Sequence, residues 1–332
     1  MNDVAEEIAR IYGYNNIKST SIKGSTTQGG RTPKQKFEVD VEHAMCGMGL
    51  NQIQTFSFIS PKYYDKIRLP EDSELRKSVV ISNPLGEDTS VMRTTSLPSM
   101  LEVLARNYNF NNENVKLFEV ATVYIPTTPD KLPNENKVLC IGMYGNCDFY
   151  TVKGVCENIL KLASIKDYTV TACADNASYH PGRCATVNVG GKVIGVFGEI
   201  HPLTLRNYDI GTPVYAAELD FDAIFELMNP NKLYTPLPKY PAATRDFSFV
   251  CDETLEVGAI FSEAKKAGGK LVEDVSLFDI YRGPQVGENK KSVSIRVTLR
   301  ASDRTLTVEE AEKAGAKILK ALEAQLGITL RA

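Results

Sequence analysis

"SLFDIYRGP", residues 276–284, sets an acid and a tyrosine two apart in what reads as a strand. Strict alternation puts Phe278 and Ile280 on one face and Leu277, Asp279 and Tyr281 on the other. A carboxylate beside an aromatic ring is an odd surface for a strand to offer water, so the neighbouring elements must say what it is for. They come in a clear order. A strand at 245–251 leads to a helix at 255–267 and a Gly268-Gly269 turn. Strands at 271–281 and 291–300 follow, then a helix at 308–325 and a strand at 327–331. Thr307 and Glu310 have capping-box spacing at the start of the second helix. Val308, Ala311, Ile318, Leu322 and Leu326 make its apolar stripe.

The order β-α-β-β-α-β is the ferredoxin-like split pattern, with both helices on one sheet face and the other face open. In 291–300, Val293, Ile295, Val297 and Leu299 point to the helices; Ser292, Ser294, Arg296 and Thr298 share the open side with Asp279 and Tyr281. An open sheet with an aromatic ring and polar groups is how several RNA-binding modules present themselves. Tyr281 would stack an unpaired base, worth about 1–3 kcal/mol. Asp279, repelled by phosphates, would serve only as a reader of a donor-rich base edge such as guanine's. The alternative is an ion pair of Asp279 with Arg282 or Arg296 and a ring covered by a linker.

Working outward, the 332 residues are 43% hydrophobic and 24% charged, which suits a soluble globular chain of two domains. A net charge of −3 advertises no global basic field for nucleic acid or membrane. Seven scattered cysteines without a CxxC pair favour reduced, mostly buried thiols and a cytoplasmic protein. With no long apolar run and no basic-then-apolar leader, the expectation is neither export nor membrane spanning. "NDVAEEIARIYGYNNI" (2–17) is amphipathic from its first residues, with Val4, Ile8 and Ile11 at helical spacing, as though Met1 sat inside a longer natural chain. "KGSTTQGGRTP" (23–33) reads as a flexible connector. A helix is expected at 34–49, a strand in "IQTFSFI" (53–59), a helix at 97–109 and a strand in "VKLFEVATVYI" (115–125). Gly190-Gly191 joins two strands within 184–199, and the Pro-rich 229–241 marks a domain boundary.

The segments "KYPAATRDFSFV" (239–250), "LFDIYRGP" (277–284), "KKSVSIRVTL" (290–299), "DRTLT" (303–307) and "LR" (330–331) resemble the ferredoxin-fold anticodon-binding domain of phenylalanyl-tRNA synthetases. Upstream, "DVAEEIARIYGYNNI" (3–17), "NPLGEDTSVMRTTSLPSML" (83–101), "LFEVATVY" (117–124), "KGVCENIL" (153–160), "HPGR" (180–183) and "GEIHP" (198–202) resemble the bacterial β subunit in order. The resemblance runs nearly end to end. It implies an α+β chain in which 1–18 ends a helical module, 30–230 is a class II synthetase-like antiparallel sheet domain without catalysis, and 239–332 binds the anticodon. It further implies an (αβ)2 heterotetramer in which the α subunit binds ATP and phenylalanine and charges tRNA(Phe). Base contacts map onto Asp279, Tyr281 and Ser292. Asp3, Glu6 and Glu7 map onto carboxylates assigned to Mg2+ shared with α, alongside an upstream aspartate outside this sequence. The family's editing module also lies upstream of these residues.

Read without the resemblance, the spacing of Asp3, Glu6 and Glu7 suits an acidic first turn that complements the helix dipole. Class II chemistry needs an arginine on the strand that holds ATP phosphates, and "KLFEVATVYIP" has none. "VGGKVIGVFGE" is a hairpin with no helix after it to cradle an anion. His43, His180 and His201 lie far apart, and His201 reads as a structural histidine. Cys184 reads as a buried inert thiol, and Arg93 as a structural or subunit-contact residue over an anion clamp. The rival functions are a stand-alone RNA-binding protein and a small-molecule-sensing αβ sandwich.

Overall fold

The computed structural model describes residues 1–128, 131–231, 233–234 and 236–331. Lys232 and Thr235 of the expected boundary segment, and Ala332 at the end of the expected last domain, lie outside the described residues. The chain forms two compact units, Met1–Asp40 and Val41–Ala332.

In the first unit, α1 (Asn2–Tyr12) forms as its spacing predicts but buries nothing; Val4, Ile8 and Ile11 are all exposed. Helix α2 (Pro33–Gly47) starts on a reciprocal cap. The Thr32 hydroxyl accepts from the Gln35 amide (3.2 Å), and the Gln35 side chain accepts from the Thr32 amide (2.9 Å). Pro33 then opens the helix, where a missing N–H costs nothing.

The second unit continues with β1 (Asn51–Gln52), β2 (Phe58–Ile59), α3 (Tyr63–Lys66), β3 (Val91–Met92), α4 (Leu97–Asn109), β4 (Val115–Ile125) and β5 (Asn134–Tyr144). Next come α5 (Phe149–Leu162), β6 (Tyr168–Ala172), β7 (Tyr179–Val189), β8 (Lys192–Ile200), α6 (Pro202–Arg206), β9 (Val214–Asp220) and α7 (Phe221–Leu227). These build a seven-stranded sheet in the order β1-β4-β5-β9-β8-β7-β6, antiparallel except where β1 lies parallel to β4. Leu97, Met100, Leu101 and Leu104 on α4 join Leu117, Cys140 and Ala216 of the sheet in one buried core. Gly142 on β5 makes that approach possible, since a Cβ there would stand 2.6 Å from Met100 Cγ.

Three sequence expectations change here. Of the strand expected over 53–59 only β2 forms, at its end; β1 lies just before it and the stretch between them is irregular. A one-turn helix, α6, does follow the hairpin. Its N-terminus is closed by His201, whose Nδ1 accepts from the Leu203 amide (3.1 Å), so it leaves no anion cradle. Strands β5, β6 and β9 have no counterpart in the sequence reading. The β7–β8 hairpin forms as expected, with Gly190 and Gly191 both at positive φ (57° and 83°).

Arg93 is 2% exposed, and each of its three guanidinium nitrogens donates a hydrogen bond inside the fold. It donates to the Thr122 carbonyl (2.9 Å), the Thr55 hydroxyl (2.6 Å) and the Glu119 carboxylate (3.2 Å). Glu119, on β4, is 3% exposed and also accepts from the Thr55 amide (3.1 Å) and hydroxyl (2.7 Å). The residue is structural, as the sequence favoured. One turn on, Glu218 of β9 accepts from the Thr95 hydroxyl and the Ser96 amide (both 2.8 Å), which fixes the start of α4 with a carboxylate at its dipole's positive end.

The remaining elements are β10 (Ala243–Asp252), α8 (Val257–Gly268), β11 (Val272–Tyr281), β12 (Lys290–Leu299), α9 (Val308–Leu326) and β13 (Thr329–Leu330). Their sheet has the order β11-β12-β10-β13. Phe249, Val293, Ile295, Val297 and Leu299 pack against Ile260, Ala264, Ala311, Ile318 and Leu322 of the two helices. The expected capping box at Thr307 and Glu310 is present, and Gly327 ends α9 in the left-handed region. Val308 departs from the expected stripe: it is 64% exposed.

Three stability outcomes follow from these contacts. Arg93→Met leaves Glu119 charged and unpaired in the interior, so urea unfolding should show a loss of about 3–5 kcal/mol, part of it recovered by adding Glu119→Gln. At Gly198 a Cβ would meet the Arg183 carbonyl at 2.3 Å, whereas at Gly154, within α5, it meets nothing. Gly198→Ala should therefore lower stability by about 1–3 kcal/mol, and Gly154→Ala should raise it by about 0.5–1 kcal/mol.

Candidate nucleic-acid interface

The second sheet carries its helices on one face, so the chemistry of the other face is set by β11, β12, β10 and β13 in that order. The pairing shows which residues share it. Tyr281 lies opposite Ser292, and Asp279 opposite Ser294. Ser294 in turn faces Ser248, while Ser292 faces Val250 and Arg296 faces Asp246. Asp279, Tyr281 and Ser292 are thus on one face, as expected.

The alternation behind that expectation does not hold through β11. Val275 pairs with Val297, Leu277 with Ile295 and Ile280 with Val293, all on the helix side. Spacings of two and then three require one extra residue, and the register shifts between Leu277 and Asp279. Leu277 consequently belongs to the helix side instead of lying beside Asp279. Phe278 leaves its expected place with Ile280 and turns its ring toward Arg296, whose guanidinium carbon is 5.5 Å from the ring centroid.

The ion pairs that could have silenced Asp279 are made elsewhere. Arg282 pairs with Glu253 (2.8 Å), and Arg296 forms a two-pronged pair with Asp246 (both 2.7 Å) that holds the Asp246 carboxyl below its ordinary range. Asp279 is exposed and has no hydrogen bond or ion pair among the described residues. It is a free carboxylate.

Tyr281 is half-buried, and what covers it is not a linker. The guanidinium of Arg331, just past β13 on the opposite edge of the sheet, lies over the ring at 4.9 Å from its centroid. The hydroxyl end of the ring rests against Gly283, where a Cβ would come within 2.4 Å of it. Gly283 in "YRGP" is therefore the space the ring occupies. Beneath, Ser292 is only 1% exposed, and its hydroxyl has no hydrogen-bond partner. The sequence expected Ser292 as an accessible third contact; the structure encloses it. Ser294 is buried too, bonded to the Ser248 hydroxyl (2.8 Å). Sequence reasoning cast Arg331 only as part of a family signature, since nothing local says that a residue fifty positions away (~50 in sequence) will roof Tyr281.

The other candidates carry less. Cys184 is 5% exposed, and burial pushes its thiol well up, so it is inert as expected. His201 caps α6, and desolvation with the nearby Arg68 and His180 holds its pKa down. Glu7 pairs with Arg10, and Asp3, Glu6 and Glu7 do not gather into a metal-holding group; among the described residues no cluster of three such ligands occurs. The three carboxylates do not make a magnesium site by themselves.

Residues 17–221 match a family model described as the phenylalanyl tRNA synthetase beta chain CLM domain, and residues 238–331 match the ferredoxin-fold anticodon binding domain. The chain is 45% identical over 330 residues to the phenylalanine–tRNA ligase beta subunit of Clostridium acetobutylicum and 46% identical to that of Clostridium tetani. Each alignment covers 99% of this chain and 42% of the relative. The same subunit of Symbiobacterium thermophilum is 37% identical over 341 residues, covering 99% of this chain and 38% of the relative. This chain thus spans about two fifths of the curated relatives' length. Among solved structures, pyrrolysyl-tRNA synthetase from Desulfitobacterium hafniense superimposes with a TM-score of 0.50 at 15% identity, over 59% of this chain and 70% of that one. At that identity the likeness speaks to the fold alone. With two consecutive domain matches and relatives aligned along nearly its whole length, the chain belongs to the phenylalanyl-tRNA synthetase β-chain family.

Proposed function

We propose that this chain is the part of a phenylalanine–tRNA ligase β subunit that scaffolds the α subunit and reads the tRNA(Phe) anticodon without performing chemistry. The observation that carries the reading is the free Asp279 carboxylate next to Tyr281 on the sheet face away from the helices. A carboxylate accepts from guanine's N1–H and N2–H₂ but loses both bonds against adenine, and the first base of a phenylalanine anticodon is a guanine. Tyr281 supplies a stacking surface that suits any base. The proposed organisation stays as 1–18, 30–230 and 239–332.

Support for a non-catalytic first sheet comes from what β4 spends its charges on. Its strand has no arginine to hold phosphates, and its glutamate is sealed into the pair with Arg93. ATP, phenylalanine and Mg2+ belong, in this reading, to the α subunit of a cytoplasmic (αβ)2 heterotetramer. Any metal held by Asp3, Glu6 and Glu7 needs further ligands from outside these residues. Phe56, Leu85 and Phe110, each more than two-thirds exposed, offer apolar surface that suits a partner subunit. No helix among the described residues is long and apolar enough to cross a membrane.

Two outcomes test the proposal. The purified chain alone should give no phenylalanine-dependent pyrophosphate exchange; measurable exchange would contradict a non-catalytic core. Within full-length β and its α partner, wild type should favour tRNA(Phe) over its first-base adenine variant by about tenfold or more, given about 1.5–3 kcal/mol per hydrogen bond to a charged group. Asp279→Ala should abolish most of that preference without unfolding the domain. An unchanged preference would remove Asp279 as a base reader.

A further inference from the structure

Tyr281 and Arg331 come from opposite edges of the sheet, on β11 and just beyond β13. Adjacent strands are about 4.8 Å apart, so roughly 14 Å of sheet separates the two edges. The side chains nevertheless meet above the central strands, with the guanidinium carbon 4.9 Å from the ring centroid. The arginine is aimed by two contacts. Its amide donates to the Ser248 carbonyl (2.7 Å), which fixes the backbone, and Nη2 donates to Gln285 Oε1 (2.9 Å), which fixes the guanidinium. Below lies the Ser292 hydroxyl, enclosed and without a partner. A buried hydroxyl with no hydrogen bond is costly by about 1–3 kcal/mol, so its presence calls for a partner that arrives later.

We propose that Tyr281 and Arg331 are the two walls of a slot for one unpaired base, closed on itself in the free protein and opened when the base slides between ring and guanidinium. The inference rests on the anticodon-reading function proposed above and adds Arg331, with Gln285 as its positioning residue. Both walls are planar π systems that stack on a base from either side. Lifting the ring off its present contact uncovers the Ser292 hydroxyl at the floor, which then gains a base-edge partner. Asp279 stands one residue pair along β11 from Tyr281, at the rim, free to accept from the same edge. In this division of labour the walls bind any base, and the carboxylate at the rim selects guanine.

The experiment uses this chain with synthetic anticodon stem-loop RNA hairpins carrying guanine or adenine at the first anticodon position. Arg331→Ala should weaken binding of both hairpins about tenfold, the size of one lost stacking partner, and leave their ratio unchanged. Arg331→Lys keeps the charge but lacks the plane, so it should not restore binding. Tyr281→Ala should resemble Arg331→Ala, and the double variant should lose little more than either single one, because a slot with one wall is already open. If Arg331→Ala binds like wild type while Tyr281→Ala is weakened, the slot is wrong and the anticodon reading survives. Full rescue by Arg331→Lys makes Arg331 a phosphate contact and likewise overturns the slot. If the unaltered chain binds neither hairpin, or Tyr281→Ala changes nothing, the reading beneath the proposal fails.

Discussion

The first sheet hangs on one buried ion pair. Arg93 enters from the segment after β3, Glu119 sits on β4, and Thr55 comes from the irregular run between β1 and β2. Three stretches far apart in sequence are tied at one point, with the Thr122 carbonyl as a fourth partner. Replacing such a pair by well-packed apolar residues is often tolerated, but removing one member is not. Its contribution is best understood as specificity. A short, poorly paired segment such as 51–59 has little sheet of its own to hold it, and the Thr55 contacts supply a fixed seat.

In the proposed non-catalytic reading, the same pair is what separates this sheet from a catalytic one. A class II site uses arginine guanidinium groups in the open, as donors awaiting phosphates. Here the strand's charge is turned inward and satisfied by protein. In the second sheet the economy is reversed. Arg296 and Arg282 are neutralised by Asp246 and Glu253, while an acid is left unpaired. A surface meant merely to attract RNA backbone would spend its charges the other way round. In the proposed anticodon-reading role, an exposed, unneutralised carboxylate beside an aromatic ring gives discrimination at the cost of some attraction.

The sequence revealed the second sheet more readily than the first. Several of its elements are set off by glycine turns, and its second helix is opened by a capping box whose geometry is local, so Thr307 and Glu310 could be read at sight. Strands β5 and β9 escaped for a physical reason. β5 begins polar and exposed in "NENK" and ends in a continuous buried run, so no period of two appears along it. Ser292 looked available because alternation gives a face and says nothing of what lies over it. Tyr281 lies opposite Ser292 with Arg331 over the ring, and only the tertiary register brings Arg331 there. Asp279 could be singled out because a charge in a strand is a local anomaly. Its freedom from an ion pair needed the structure, since two arginines were within reach in sequence.

The extra residue between Leu277 and Asp279 has a bearing on how sequences of this kind can change over time. Substitutions along β11 alter what the face offers while leaving its orientation alone. Loss of Phe278, the unpaired residue, would leave Leu277 facing Ile295, Asp279 facing Ser294 and Tyr281 facing Ser292 in strict alternation, so both side chains would stay on the face away from the helices. Loss of Ile280 instead would turn one of the two toward the helices. Drift by shortening is open to this strand at the bulge and closed beyond it.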